Sequence, residues 1–360
     1  MSVARAPSQE RSGWARLTVS FDQGTAIRSA VIAAFLAVAL FAVPLTGGEW
    51  IKTFTSVAIY SVVAAGLGIL YGRAGMISLG QVALLELGVW IGARLAYATA
   101  IPFPLLLILT GLITGAIGVL IGLPALRLSG LHLALITLMF AGAVNVVLSA
   151  TNFPNGGGGF LGHIAAGDLS ALNPVRRPEI AVGDTAYYRY VVVACAVMFG
   201  LGLLHVAGKP GRAWASIRES EPAALAAGVN ITLYKLWAFG LAAFMTGVAG
   251  CLLAAHGGFP TVYGFATQDS LTVLATALIG GIFSFWGAVV AGVFNQLLPF
   301  IVKDQWGVNN NFLIVIFGAG LLWSLLSAPA GFVQLPGDLK RLGRFIRQKL
   351  KGPTAPEGAR

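Results

Sequence analysis

Long apolar runs alternate with short polar connections along most of this chain. The runs cover approximately 27–45, 51–71, 80–98, 101–122, 131–150, 189–207, 236–257, 270–283, 286–303 and 312–329. A helix needs roughly 20 residues to cross a bilayer, and most of the runs reach that length. The pattern therefore predicts an all-α, polytopic transmembrane bundle with about ten spans.

The region 270–303 departs from this regular pattern. It is too long for one span, and Gly280, Gly281 and the sequence SFWG at 284–287 interrupt it. A broken helix is tolerated inside a membrane protein only where protein or water covers the freed backbone groups. Two short or broken helices are predicted to meet at this point.

Composition agrees with a membrane protein. Hydrophobic residues make up 57% of the 360 residues, and only 10% are Asp, Glu, Lys or Arg. Soluble domains carry about 25% charged residues. This chain has too few to cover a soluble surface of its size, which excludes the soluble class.

The basic residues predict how the chain is oriented. With ten spans, 17 of the 23 Lys and Arg residues fall on one side of the membrane. The positive-inside rule makes that side cytoplasmic. The N-terminal segment 1–26, the loop 208–235 and the basic tail 336–360 are then cytoplasmic. The transmembrane domain covers 27–335, and its polar loop 151–188 is external.

No catalytic, metal or nucleotide site is evident in the sequence. A phosphate-binding G-x-x-x-x-G-K-[ST] pattern is absent, and the four histidines are too scattered for metal ligation. The one G-x-G-x-x-G match, at Gly157, Gly159 and Gly162, follows no predicted strand, so a turned external loop is favoured over a dinucleotide site. The positive charge is interpreted as a topology signal, and no nucleic-acid partner or bound cofactor is expected.

Polar side chains inside the apolar runs are candidates for function. The least expected is Glu86, because an ionisable group in a span is costly and usually faces the bundle interior or a water path. Three interpretations remain open: a contact with solute, a hydrogen bond between helices, or a pair with Arg94. Other polar residues in the runs are Gln81, His132, Asn145, Asn295 and Gln296.

The stretch ESEPAALAAGVNITLYK, at 219–235, predicts a short capped helix. Ser220 can cap its start, Pro222 suits its first turn, and Gly228 can end it in the left-handed conformation. Such a helix has about two turns and is unstable alone in water, so it must dock on something. It either docks on a partner or lies as an ordinary loop against its own spans.

Several segments resemble one known family. They are GILYGRAGMISLGQVALLELGVWIGARL (68–95), LRLSGLHLALITLMFA (126–141), TNFPNGGGGF (151–160), GRAWASIRESEPAALAAGVNITLYKLWAFGLAAFMTGVAGCLLA (211–254) and DSLTVLATALIGGIFSFWGAVVAGVF (269–294). Their order and spacing resemble the inner-membrane permeases of branched-chain amino-acid ABC importers, M-type subunit. The resemblance covers much of residues 55–300.

The resemblance implies a set of partners in a bacterial inner membrane. It implies a second permease subunit, two cytoplasmic ABC ATPases that hold ATP and Mg, and an external substrate-binding protein. The loop 208–235 is similar to the family's ATPase-contacting segment, with its E-A-A…G pattern. Pro222 replaces the usual Ala, which leaves the start of the helix open. The implied coupling residues are Arg212, Arg218, Glu219, Glu221, Ala223, Ala224 and Gly228.

The solute path is less marked by motif. The resemblance implies that Ser78, Gln81 and Glu86, and the break near Gly280 and Gly281, border it. Family members carry leucine, isoleucine and valine, and relatives carry urea, amides or other amino acids. An ion-driven secondary transporter is the alternative, although among the acidic and histidine residues only Glu86 favours it. A membrane enzyme or an assembly subunit has no supporting feature beyond the bundle.

Overall fold

The computed structural model describes residues 32, 34–45, 47–128, 130–150, 175–257, 269–305, 307 and 315–322. Over these residues the chain is helical and contains no strand. The predicted segment 1–26, the tail 336–360 and the loop residues 151–174, which include the G-x-G-x-x-G match, lie outside the described residues.

Ten α-helices of this part of the chain are numbered here in chain order. They are α1 (Gly48–Leu67), α2 (Gln81–Ala98), α3 (Phe103–Ala125), α4 (Gly130–Ala150), α5 (Asp184–Ala207), α6 (Lys209–Glu219), α7 (Glu221–Ala226), α8 (Ile231–Gly257), α9 (Asp269–Gly280) and α10 (Phe285–Gly292). A π-helical turn, Gly68–Arg73, continues α1, and two more, Val293–Leu297 and Phe300–Gln305, follow α10. Shorter helical stretches cover 34–41 and 315–322.

Six helical segments among the described residues are long and apolar enough to cross a membrane. They are Gly48–Arg73, Phe103–Pro124, Gly130–Leu148, Asp184–Ala207, Ile231–Gly257 and Phe285–Lys303. Helix α2 is not among them, because Gln81, Glu86 and Arg94 lower its mean hydropathy. The runs 27–45 and 312–329 lie partly outside the described residues, so the number of ten spans stays a prediction.

Helix α8 lies at the centre of the bundle, where α1, α2 and α3 pack against it. On α3, the glycines 111, 115, 118 and 122 follow helical spacing and face α8. A Cβ atom at Gly118 would lie 2.2 Å from the Cβ atom of Ala243. Small residues at this spacing let two helix backbones approach closely, which is how helices gain packing energy inside a membrane.

A second glycine contact joins α2 to α8. A Cβ atom at Gly88 would lie 2.8 Å from the carbonyl oxygen of Gly247, and one at Gly250 would lie 2.5 Å from that of Leu85. At both positions, a Cβ atom would collide with the carbonyl oxygen of the other helix unless the helices moved apart. The α8-facing side of α2 is therefore fixed by backbone contact.

The predicted break in 270–303 is confirmed. Helix α9 ends at Gly280, Gly281 has a φ of +110°, and α10 begins at Phe285. The Ser284 hydroxyl caps α10 by accepting a hydrogen bond from the Trp286 backbone N–H at 3.2 Å. With 12 residues, α9 is about 18 Å long and reaches only part of the way across a bilayer.

The turn between α9 and α10, here called the hairpin turn (residues 281–284), packs on the π-helical end of α1. A Cβ atom at Gly72 would lie 2.3 Å from the carbonyl oxygen of Ile282. The hairpin turn, the end of α1 and helices α6 and α7 meet at one end of the bundle, called below the α7 end. This places the broken helix next to the stretch 219–235.

Candidate functional site

Helix α6 is amphipathic and binds the bundle through one apolar face. Its buried residues are Ala213, Trp214 and Ile217. Trp214 is fully buried, and its indole N–H donates a hydrogen bond of 2.8 Å to the carbonyl oxygen of Tyr234 at the start of α8. This contact fixes α6 against α8 and so positions the residues that follow it.

Helix α7 has the caps that the sequence predicts. The Ser220 hydroxyl accepts a hydrogen bond from the backbone N–H of Ala223 at 3.4 Å, and Pro222 lies in the first turn. Pro222 therefore belongs to the start of the helix and does not kink it. At the other end Gly228 has a φ of +79°, and its backbone N–H bonds the carbonyl oxygen of Leu225 at 2.9 Å.

A salt bridge seats α7 on α8. The Lys235 Nζ atom lies 2.7 Å from Oε1 of Glu221, and the Lys235 side chain is only 6% exposed. Within α7, Ala224 is buried, whereas Ala223 and Leu225 are exposed. One side of α7 is thus held by the bundle, and the other side is free within the described part of the chain.

Arg218 connects α6 to both the end of α1 and the hairpin turn. Its Nη1 atom donates a hydrogen bond of 2.7 Å to the carbonyl oxygen of Gly72, and its guanidinium lies 4.7 Å from the centre of the Phe283 ring. Arg73 donates a bond of 3.0 Å to the carbonyl oxygen of Phe283. Three separate parts of the chain are thereby joined at the α7 end.

A cleft of about 540 Å³ opens beside this network. Arg212 and Glu219, both exposed, are on its wall together with Arg73 and Arg218. The remaining lining residues are Gly72, Val206, Gly211 and Ala215. The coupling residues implied by the family resemblance therefore lie in one contiguous region that extends from this cleft to α7.

The residues expected along a solute path lie in separate places. Ser78 is buried before α2, where its hydroxyl accepts a hydrogen bond from the Gly80 N–H at 3.3 Å. At the first turn of α2, the Gln81 amide nitrogen donates to the Thr246 hydroxyl of α8. Gly280 and Gly281 lie at the end of α9, next to the hairpin turn.

Glu86 faces a different neighbour from Gln81. Its side chain is 2% exposed and hydrogen-bonds the side chain of Asn145 on α4. This is the bond between helices that the sequence left open as one interpretation. It does not satisfy the whole group, because the Oε1 atom of Glu86 is buried without a partner among the described residues.

A second cluster, which the sequence did not reveal, holds the opposite end of the bundle. Arg177 pairs with Asp184 at the start of α5 at 2.6 Å, and it donates a hydrogen bond of 3.2 Å to the carbonyl oxygen of Ala255 near the end of α8. Its guanidinium also lies 4.8 Å from the centre of the Tyr187 ring. In the sequence, Arg177 is only one positive charge in a polar loop, and nothing near it indicates these contacts.

The comparisons with known proteins identify the family. The family model described as "Branched-chain amino acid transport system / permease component" matches residues 50–325. The chain is 28% identical over 297 residues to the high-affinity branched-chain amino acid transport system permease protein LivM of Salmonella typhimurium. That alignment covers 78% of this chain and 69% of the relative. The LivM protein of Escherichia coli is 27% identical over the same length and coverage.

No solved structure matches the chain. The relatives are permease components of transport systems, which are not enzymes. The resemblance seen in the sequence is confirmed, since the family model matches most of the chain and includes both the stretch 219–235 and the hairpin turn. With six apolar helices among its described residues, this chain is a multi-pass membrane protein that belongs to the family of branched-chain amino acid transport permeases.

Proposed function

We propose that the chain is the membrane-spanning permease subunit of an ATP-driven ABC importer in a bacterial inner membrane. It forms the path for branched-chain amino acids or related small polar solutes. It couples to cytoplasmic ATPases through the loop 208–235. The observation that carries this proposal is α7, a capped helix that is fixed on one side by the Glu221–Lys235 salt bridge and presents Leu225 outward.

The implied assembly contains a second permease subunit, two ATPases and an external binding protein. ATP and Mg bind to the ATPases, and this chain contributes the helix that moves with them. A short helix on a rigid support transmits a rigid-body movement of its partner without itself unfolding. The supports of α7 favour this role, because Ala224 and Lys235 are both buried.

Movement of α7 has two routes into the bundle. One route is the salt bridge to Lys235, which acts on the first turns of the central helix α8. The other passes through α6 and Arg218 to Gly72 and Phe283, and so to the hairpin turn. Because the hairpin turn follows Gly280 and joins the short helix α9 to α10, it is the point at which we expect the path to change shape.

The alternative function is an ion-driven secondary transporter. It is favoured by the buried carboxyl group of Glu86, since ionisable residues inside such proteins often bind coupling ions. The two functions differ in the energy source. Uptake by proteoliposomes that contain the chain with its ATPases should require ATP and persist when ion gradients are collapsed.

The coupling assignment is tested with the double variant Glu221→Ala/Gly228→Ala in the reconstituted importer. Ala at position 228 must adopt a φ of +79°, which costs about 1–2 kcal/mol. We expect the ATPases to co-purify less or to hydrolyse ATP without uptake, whereas membrane insertion is unchanged. The matched control is Gly47→Ala/Glu49→Ala, which changes a positive-φ glycine and an exposed glutamate just before and within the first turn of α1. Normal co-purification and normal uptake by the α7 variant would refute the assignment.

A further inference from the structure

The two sides of α2 have different chemistry. The side that faces α8 carries Gly88 and Gly92, which lie close to Gly247 and Cys251, and the Gln81 side chain, which is bonded to Thr246. The side that faces α4 carries the side chains of Glu86 and Trp90. These two residues are four positions apart, so they lie one turn apart on the same side of the helix, with a rise of about 6 Å between them.

Both residues have a buried polar atom without a hydrogen-bond partner in the described part of the chain. On Glu86 it is the acceptor Oε1, and on Trp90 it is the donor Nε1. Such atoms are rare in native proteins, and each one calls for an explanation, which includes an absent ligand. One turn of α2 thus presents one unsatisfied acceptor and one unsatisfied donor.

Glu86 and Trp90 are complementary to a small solute that carries one hydrogen-bond donor and one hydrogen-bond acceptor. A carboxylate accepts hydrogen bonds, and an indole N–H donates one. In a free α-amino acid, the ammonium group would donate to Glu86 and the carboxylate would accept from Trp90. In an amide or urea, the N–H would donate to Glu86 and the C=O would accept from Trp90. The surrounding side chains are apolar and include Leu87, Phe140 and Val144, which would contact an aliphatic side chain.

Helix α4 covers this side of α2 and lies at the periphery of the described helices. Among the described elements it packs on α2 and, less extensively, on α3. Its first half is tied down, since the Thr137 hydroxyl accepts a hydrogen bond of 2.9 Å from the Leu79 backbone N–H. Its other side exposes Leu131, Leu135 and Met139. Separation of α4 from α2 beyond Thr137 would open the site.

We propose that Glu86 and Trp90 bind one transported solute between α2 and α4, Glu86 accepting from its nitrogen and Trp90 donating to its oxygen. This inference rests on the proposed function and adds Trp90 as a solute-contacting residue. The bond from Asn145 to Glu86 holds the carboxyl group while the site is closed.

The test is initial-rate uptake in proteoliposomes that contain the complete importer, with labelled leucine, leucinamide and urea as separate probes. Trp90→Phe keeps an aromatic ring and removes the donor. We expect it to raise the KM of the transported probe about tenfold, with a smaller change in kcat, because one hydrogen bond to the solute is lost. Glu86→Gln should raise the same KM by at least as much. The control is Trp237→Phe on α8, whose side chain is 49% exposed.

The outcomes separate this inference from the proposed function. If the wild-type importer takes up none of the three probes with ATP, the proposed function is refuted. If wild-type uptake is normal and the KM of both Trp90→Phe and Glu86→Gln stays within twofold of the control, the inference alone is refuted. Thermal melting of each purified variant identifies loss of folding. If Trp90→Phe does not fold, Glu86→Gln decides the result, because glutamine has nearly the same shape as glutamate. The probe that the wild type accepts shows whether an amino acid or an amide supplies the two groups.

Discussion

Lys235 in the first turns of α8 forms a salt bridge with Glu221, the first residue of α7, with 2.7 Å between Nζ and Oε1. The lysine side chain is 6% exposed, and the glutamate side chain is 46% exposed. The pair therefore joins a buried cation to a partly accessible anion. It is the charged contact by which α7 is held to the central helix.

The Glu221–Lys235 pair predicts an asymmetric double-mutant cycle. Glu221→Gln leaves a buried ammonium group without its anion and should destabilise the chain by about 1–3 kcal/mol. Lys235→Met removes the buried charge and should cost less. The double variant should resemble Lys235→Met, which thermal melting of the purified importer measures. Equal and additive effects of the two single changes would show that the contact contributes nothing.

Arg218 should be needed for coupling rather than for ATP hydrolysis itself. Arg218→Lys keeps the charge but loses the guanidinium geometry that reaches both Gly72 and the Phe283 ring. Loss of one charged hydrogen bond and one cation–π contact should lower uptake about tenfold, while ATP hydrolysis changes little. The two rates are measured in the same proteoliposomes. Arg127→Lys, an exposed arginine after α3, is the control, and equal uptake by the two variants would contradict the prediction.

The Arg177 cluster should affect stability more than transport. Arg177→Ala removes the partner of Asp184 and the donor to the carbonyl oxygen of Ala255, and it should lower stability by about 1–3 kcal/mol. Arg176→Ala changes the exposed neighbouring arginine and should be close to neutral. Thermal melting compares the two variants, and uptake at low temperature checks that transport is retained. A lower melting temperature for Arg176→Ala than for Arg177→Ala would show that the contacts of Arg177 are not stabilising.

The glycine contact between α2 and α8 should not tolerate one methyl group. In Gly250→Ala the new Cβ atom would lie 2.5 Å from the carbonyl oxygen of Leu85, so the helices must separate. Overpacking of this kind costs about 1–3 kcal/mol. Gly200→Ala on α5 has nothing within 4 Å of the new atom and should not reduce stability. Melting temperature and the yield of monodisperse protein should fall for Gly250→Ala only.

Local features were predictable from the sequence because their causes lie within a few residues. The N-cap at Ser220, the left-handed Gly228 and the break after Gly280 all follow from rules about neighbouring side chains and backbone angles. The start of α8 was less predictable. The apolar run begins at 236, yet the helix begins at Ile231. The Asn230 side chain caps this start by accepting a hydrogen bond of 3.0 Å from the Leu233 backbone N–H, and Lys235 within the first turns is paired with Glu221 of α7.

Contacts between distant residues were not predictable in this way. Arg73 and Phe283 are 210 positions apart, and no local pattern indicates that a guanidinium will bind that carbonyl oxygen. The same holds for Trp90. In the sequence, Trp90 is one aromatic residue of an apolar helix. Only the placement of α4 opposite α2 shows that the Trp90 N–H has no partner among the described residues.

The sequence by itself determined the class of the protein, most of its apolar helices, the caps of α7 and the family to which the chain belongs. These depend on hydrophobic length, glycine and proline positions, and a contiguous set of motifs. Only the tertiary structure decided which side of α2 faces α8, which charges are paired at the α7 end, and which polar atoms are left unsatisfied. Such choices depend on how helices far apart in the chain pack together, and a hydrophobic pattern sets the length of a helix but not its neighbours.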